Sequence, residues 1–459
     1  MDYATTSELV DALRTGQVSA VELLKRSVDR IEKSDPQINA VVVRDFERAR
    51  QAAAAADAAI ARGERRPLLG VPLTVKEAFN VAGLPTTWGI PGTDKIEVAE
   101  DAVLVGRLKA AGAIVIGKTN IAMHLADWQS SNPIFGTTNN PWDPARTPGG
   151  SSGGGAAALA AGYVSLEFGS DLAGSLRVPA HFCGVFAHKP SHGLVPMRGF
   201  APPGTPALSV GSDIDLGVVG PMARSAGDLA LALDVIGGPD DAEAVAYRLA
   251  LPPARRSALQ GFRVLALEAH PMLPTSNAVR SSLQHLVHGL ERAGCRVGRA
   301  SPLLPDLERI ASLWGQLLWA VIGADMPAEA GGASHRDWVH ADRERLGIAH
   351  QWRAFFREWD VILCPVMPTP AFPHDHREME ARRLEVDGKE IPYQDQAVWS
   401  SIATLTGLPA TTIPIGRSEE GLPIGVQVIG PRLEDRTTIA FAQAVEREFG
   451  GFVPPPSYA

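Results

Sequence analysis

Between Thr147 and Gly162 the chain reads Thr-Pro-Gly-Gly-Ser-Ser-Gly-Gly-Gly-Ala-Ala-Ala-Leu-Ala-Ala-Gly, and no other stretch limits its fold as tightly. Glycine tolerates backbone angles closed to other residues and lets backbone approach backbone or ligand. Gly/Ser composition is also that of a flexible tether. The alanine run behind it argues instead for a packed helix. Ser151 and Ser152 then stand at its mouth, where the N–H groups of a first turn point outward. The stretch predicts a tight backbone site and leaves its chemistry open.

Around it, strand-type and helical segments alternate. Two helices are expected within residues 6–33, with Ser7 and Ser19 as caps and Asp35-Pro36 as the stop. An alanine-rich helix follows over 46–63. Leu69-Gly-Val-Pro-Leu-Thr-Val-Lys76-Glu is a short apolar run of strand type that carries a lysine. A helix over 102–111 leads into Ala113-Ile-Val-Ile116, a buried strand, and Val164–Phe168 is another, running into a small-residue turn that opens a helix. Residues 201–217, rich in proline and glycine, read as a loop, and Ser225 caps a helix over 226–236. After a more variable αβ segment over 262–352, strand texture returns at 359–365, 406–415 and 425–430, and a helix closes the chain from 435 to 449. This pattern predicts an α/β fold, a mixed, mostly parallel central sheet covered by helices on both faces. With 459 residues there is room for one large domain or two to three ordinary ones. No repeat and no clean linker divides the chain, so a single domain over 1–459 is expected.

Composition excludes several classes. Hydrophobic residues at 45% and charged residues at 20% are globular proportions. A net charge of −8 favours neither nucleic acid nor an anionic membrane surface. The three cysteines, Cys183, Cys295 and Cys364, form no CxxC pair. No basic, apolar leader opens the chain and no run approaches a membrane span, so a cytoplasmic protein is expected. Gly112-Ala-Ile-Val-Ile-Gly-Lys-Thr119 fits a phosphate-loop pattern, but its middle residues are themselves the strand, so their N–H groups belong to a sheet. His285/His288 and His374/His376 lack the further ligands of a metal site, and no metal or cofactor is expected. His181, His188 and His192 read as hydrogen-bonded structural groups. Neither Ser151 nor Ser175 fits G-x-S-x-G, and no S-x-x-K occurs. What remains is Lys76 in its apolar run and two serine-bearing turns. A buried lysine favours the neutral amine, a competent base for a hydroxyl. The alternative is a lysine paired with Glu77 or reaching the surface.

Five blocks carry a resemblance. Gly149-Gly-Ser-Ser-Gly-Gly-Gly155, Gly169-Ser-Asp-Leu-Ala-Gly-Ser-Leu-Arg-Val-Pro-Ala180 and His188-Lys-Pro-Ser191 resemble the amidase signature family, as do the Leu69–Glu77 run and Gly421-Leu-Pro-Ile-Gly-Val-Gln-Val-Ile-Gly430. The resemblance covers the chain except roughly 240–350. It implies a Ser–cis-Ser–Lys triad with Ser175 as nucleophile, Ser151 as the relay after a cis peptide, and Lys76 as base. It also implies an oxyanion hole from the N–H groups of Leu172, Ala173, Gly174 and Ser175. Leu125 would lend backbone to the acyl pocket, while Ser152 and Gly150 shape the site. Within the single domain it suggests N-terminal helices over 1–65, a catalytic core over 66–237, a pocket-shaping insertion over 240–350 and a return to the sheet over 355–459. Loops around 125–135, 200–210 and 310–345 would build the pocket. The implied activity is hydrolysis of carboxylic amides, with aryl amides and carbamates as variants, by a monomer or homodimer acting on a small molecule. The alternative is the amidase subunit of a tRNA-dependent amidotransferase, against which Gly217-Val-Val-Gly-Pro-Met-Ala-Arg-Ser225 looks more like free amidases. Ala173 and Ser170 stand where the family usually has glycine and threonine.

Overall fold

Pro72–Lys76 forms a strand, and it sets the logic of the whole sheet. Side chains alternate across a strand, so Leu73 and Val75 point to one face while Thr74 and Lys76 point to the other. On the first face Leu73 and Val75 join a core with Leu104, Leu108, Leu229, Leu283 and Phe441, from four helices that cover it. On the other face two further clusters form. One gathers Ile114 and Ile116 with the N-terminal helices and the alanines of the helix Gly153–Ala160. The second gathers Ile362, Cys364 and Ile429 with the helices Leu307–Ile322 and His335–Glu358. Helices therefore cover both faces, as expected.

The computed structural model describes residues 1–204, 213–323 and 333–458. Parts of the 201–217 loop and of the 310–345 pocket segment lie outside the described residues. One sheet holds eleven strands. From edge to edge they are Val41–Arg44, Ile114–Thr119, Pro72–Lys76, Leu166–Asp171, Val218–Ala223, Phe186–Lys189, Ala410–Arg417, Pro423–Ile429, Val361–Pro365, Arg263–Ala266 and Arg296–Gly298. The sheet is mixed, as read from the sequence, but the expected parallel majority is corrected. Six neighbouring pairs are antiparallel and four are parallel. The cause is local at the centre. Ala410–Arg417 and Pro423–Ile429 are joined by a tight turn closed by Ser418 and Leu422, and such a connection permits only an antiparallel pair. Within the 262–352 segment, Arg263–Ala266 and Arg296–Gly298 pair parallel at the sheet edge.

Two helix boundaries also differ from expectation. Thr5, not Ser7, caps the first helix, in a capping box with Glu8, and Ser7 Oγ instead donates to Asp228 Oδ1 at 2.9 Å. The helix Ala20–Ile38 passes through Pro36 and stops at left-handed Asn39, where Asp35 accepts the N–H groups of Ala40 and Val41. Ser19, Ser225 and the helix Asp435–Phe449 lie where the sequence placed them. Among the described residues no helix is long and apolar enough to cross a membrane.

Candidate functional site

Lys76 ends its strand on the face opposite Leu73 and Val75, fully buried. A register shift between Leu73 and Thr74 sets Lys76 beside Thr119 of the neighbouring strand. Its Nζ donates to Ser151 Oγ at 2.7 Å and to Ser170 Oγ at 2.9 Å. Burial, working against the attraction of Asp171 and Glu167, pushes the Lys76 ammonium down to about 7. Glu167 is equally buried, and burial pushes its carboxyl up to about 8 although Thr74 and Thr119 both donate to it. Neither group carries a settled charge near neutral pH. The alternative of a lysine paired with Glu77 is excluded, because Glu77 accepts from Lys118 and from the N–H groups of Thr87 and Trp88.

Ser151 follows a cis peptide bond from Gly150. Gly150 is required there by close approach, since a Cβ would lie 2.4 Å from the Asp127 carbonyl. Ser130 Oγ donates to the Gly149 carbonyl and accepts the Gly153 N–H, tying both sides of the serine pair into one loop. Ser152 Oγ meets the Ser170 backbone at 3.4 Å, and its own N–H donates to the Ser175 carbonyl at 3.3 Å. The two serine-bearing turns, separated in sequence, are thus joined by a backbone hydrogen bond one residue from Ser151.

The second turn is organised by a carboxylate that the sequence alone does not single out. Asp171 accepts the N–H groups of Gly174, Leu176 and Arg177. The Arg177 guanidinium grips it through Nε at 3.0 Å and Nη2 at 2.8 Å. Burial disfavours this charge, yet the Arg177 guanidinium and the donated N–H groups hold the carboxyl at about 2. Gly174 sits at φ +97°, and a Cβ there would come within 2.5 Å of Ser400 Oγ. Its peptide is held from both ends, the Gly174 N–H by Asp171 Oδ1 at 3.0 Å and the Ala173 carbonyl by Trp128 Nε1 at 2.9 Å. Of the four N–H groups expected at the hole, that of Gly174 thus donates to Asp171. Leu172, Ala173 and Ser175 keep N–H groups with no protein partner among the described residues. Ser175 itself is 6% exposed.

Leu125, expected near the acyl pocket, adopts φ +59° and packs against the core on the Leu73 side. Trp128, three residues on, is the residue that touches the serine turn. It also packs on Tyr393 at 5.6 Å between ring centroids, and Tyr393 and Arg382 both donate to Asp127. The Asp171–Arg177 pair lies inside one of the family-like blocks, and its only signal is two opposite charges in a run of small apolar residues. Trp128 offers only an aromatic in a polar loop. His181 accepts the Gly425 N–H at Nδ1 and faces the Thr369 carbonyl through Nε2, and burial pushes its pKa down to about 4. His188 bonds Thr411 and Asp435, so both histidines are held in the frame around the site.

The chain matches the family model described as Amidase over residues 22–329 and 324–439. It is 34% identical to an indoleacetamide hydrolase of Bradyrhizobium diazoefficiens, over 96% of this chain and 85% of that one. It is 31% identical to one of the subunits of a glutamyl-tRNA(Gln) amidotransferase from Anaeromyxobacter, over 96% of this chain and 95% of that one. Among solved structures, a chain of an inhibitor-bound vestigial protein complex, tied to the origins of an s-triazine catabolic enzyme, superposes with a TM-score of 0.84. That chain is 28% identical, with 97% of this chain and 98% of that one covered. With its sheet, its serine-bearing turns and these relatives in agreement, the chain belongs to the amidase signature family, whose members hydrolyse amides.

Proposed function

We propose that the protein hydrolyses carboxylic amides bearing an apolar or aryl group, through an acyl-enzyme on Ser175. One observation carries this reading: a fully buried lysine near neutrality, 2.7 Å from Ser151 Oγ. In its neutral form Lys76 takes the Ser151 proton while Ser151 takes the proton of Ser175, and Ser175 Oγ attacks the carbonyl carbon. The oxyanion forms against the N–H groups of Leu172, Ala173 and Ser175, and loss of one such donor typically costs about 3–4 kcal/mol. The C–N bond breaks as Ser151 passes its proton to the departing nitrogen and is reprotonated by Lys76. Water, deprotonated by the same relay, attacks the ester and releases the acid. Trp128, Leu172 and Ala173, half-buried around the turn, favour an apolar substrate. Carbamates share the carbonyl–nitrogen linkage and would use the same groups.

The test is labelling with an active-site serine sulfonyl fluoride, mapped by mass spectrometry, alongside Ser175→Ala assayed on aryl amides, aliphatic amides and aryl carbamates. Label on Ser175 and loss of all turnover are expected. Label on another serine, or turnover by the variant at the parental rate, overturns the assignment. A second reading, membership of an amidotransferase complex, is supported by the 31% identity to one of the subunits of such an enzyme over nearly the whole chain. The native mass of the protein isolated from its source separates the two, since that reading requires co-purifying partners.

A further inference from the structure

A cavity of about 890 Å³ includes none of Lys76, Ser151 and Ser175 in its wall. It opens between the helix His335–Glu358 from Asp342 onward, the 404–408 segment and the 431–434 loop. Its size is that of a small-molecule site. Its charge is unlike that of the molecule around it. Seven arginines and four carboxylates line it, in a chain whose net charge is −8. The carboxylates are already taken: Arg255 pairs with Glu434, Arg263 with Asp360, and Arg345 with both Asp215 and Asp342. Arg353, Arg357 and Arg432 pair with no carboxylate among the described residues. Arg353 and Arg357 stand four residues apart on one helix, the spacing at which like charges repel. A guanidinium presents a planar fork of donors suited to a carboxylate. Beside these heads the wall is apolar, with Trp352, Phe356, Leu405 and Leu408. Cation above and hydrocarbon below match an amphiphilic anion.

We propose that this cavity is a second ligand site, which takes an organic carboxylate on an apolar body. Its carboxylate bridges Arg353, Arg357 and Arg432, and its hydrocarbon lies on the Trp352–Phe356 wall. The site is distinct from the serine turns but not remote from them in bonding: Thr404, in the cavity wall, accepts a hydrogen bond from Arg177 Nη2, and Arg177 grips Asp171.

Titration calorimetry of the full-length protein at 0.15 M salt tests this with three probes. They are 4-phenylbutyrate, the uncharged 4-phenylbutanol and inorganic phosphate. Saturable binding of the carboxylate is expected, at least tenfold tighter than either of the others. The double variant Arg353→Ala/Arg357→Ala, and separately Arg432→Ala, weaken it at least tenfold, and all three residues are exposed, so the variants keep the fold. Carboxylate binding unchanged in both variants, or no carboxylate binding at all, overturns the site. Phosphate binding as tightly as 4-phenylbutyrate overturns the assignment of an apolar body.

Discussion

Replacing Lys76 by methionine tests the base and the burial together. Methionine keeps an unbranched chain of comparable length and removes the charge. A buried ammonium pushed down from 10.5 to about 7 costs the fold about 4–5 kcal/mol at neutral pH, at about 1.4 kcal/mol per pH unit. Against this, Ser151 and Ser170 lose the donor each now receives, at about 1–2 kcal/mol apiece. At pH 7 the variant is therefore more stable by up to about 3 kcal/mol, and its turnover falls by about 10²–10⁴-fold for want of the proton acceptor. The sign of the pH dependence follows from linkage. Between about 7 and 10.5 the unfolded lysine holds a proton that the folded one has released, so native stability rises with pH across that window. The variant lacks this rise. Its advantage at pH 7 shrinks as pH rises and reverses by pH 10, where the lost hydrogen bonds outweigh the small penalty still left. Urea unfolding of both proteins at pH 7, 8, 9 and 10 reads the crossing, and the native kcat/KM should climb through about pH 7 to a plateau. A stability difference that stays constant with pH refutes the reasoning, as does a variant with undiminished turnover.

Three other substitutions probe the second turn. Asp171→Asn leaves the buried Arg177 without its counter-charge and should cost about 3–5 kcal/mol in chemical unfolding; a change under about 1 kcal/mol contradicts the clamp. Gly174→Ala forces a side chain into φ +97° and against Ser400 Oγ, so kcat should drop at least about tenfold, and Ser400→Gly in the same chain should not restore it, because the backbone angle remains. Trp128→Phe keeps the aromatic wall but drops the hydrogen bond to the Ala173 carbonyl, worth about 1 kcal/mol. It should lower kcat about fivefold with KM nearly unchanged, and a KM effect alone would assign Trp128 to substrate binding only.

Local pattern reaches far into this molecule. The strand Pro72–Lys76, the helices Ala226–Ile236 and Asp435–Phe449, and the cap at Ser19 follow from periodicity and side-chain chemistry within a dozen residues. Strand direction does not, because it depends on which partner a strand meets across the sheet. Phe186–Lys189 lies between Val218–Ala223 and Ala410–Arg417, antiparallel to both, and the second of these is more than two hundred residues away. Val41–Arg44 is four residues long and becomes a strand only because Ile114–Thr119 offers it an edge. At the site, Lys76 and both serines stand out through composition and motif. The state of the Gly174 N–H was hidden, since it is decided by Asp171 below and Trp128 above, and no spacing rule orients a peptide between two such partners. Glu167 reads as an ordinary strand residue until Thr74 and Thr119 are seen to enclose it.

The alternation along Pro72–Lys76 has a consequence for how this protein can vary. The proposed base and the core are carried by the same five residues, one on each side of a single pleat. Slipping that strand by one position would turn Lys76 into the hydrocarbon layer and bring Val75 to the serines. Folding into the right register and placing Lys76 beside the serines are consequently one event. The same coupling of side chain to pleat holds for any strand that buries one face and presents a polar group on the other.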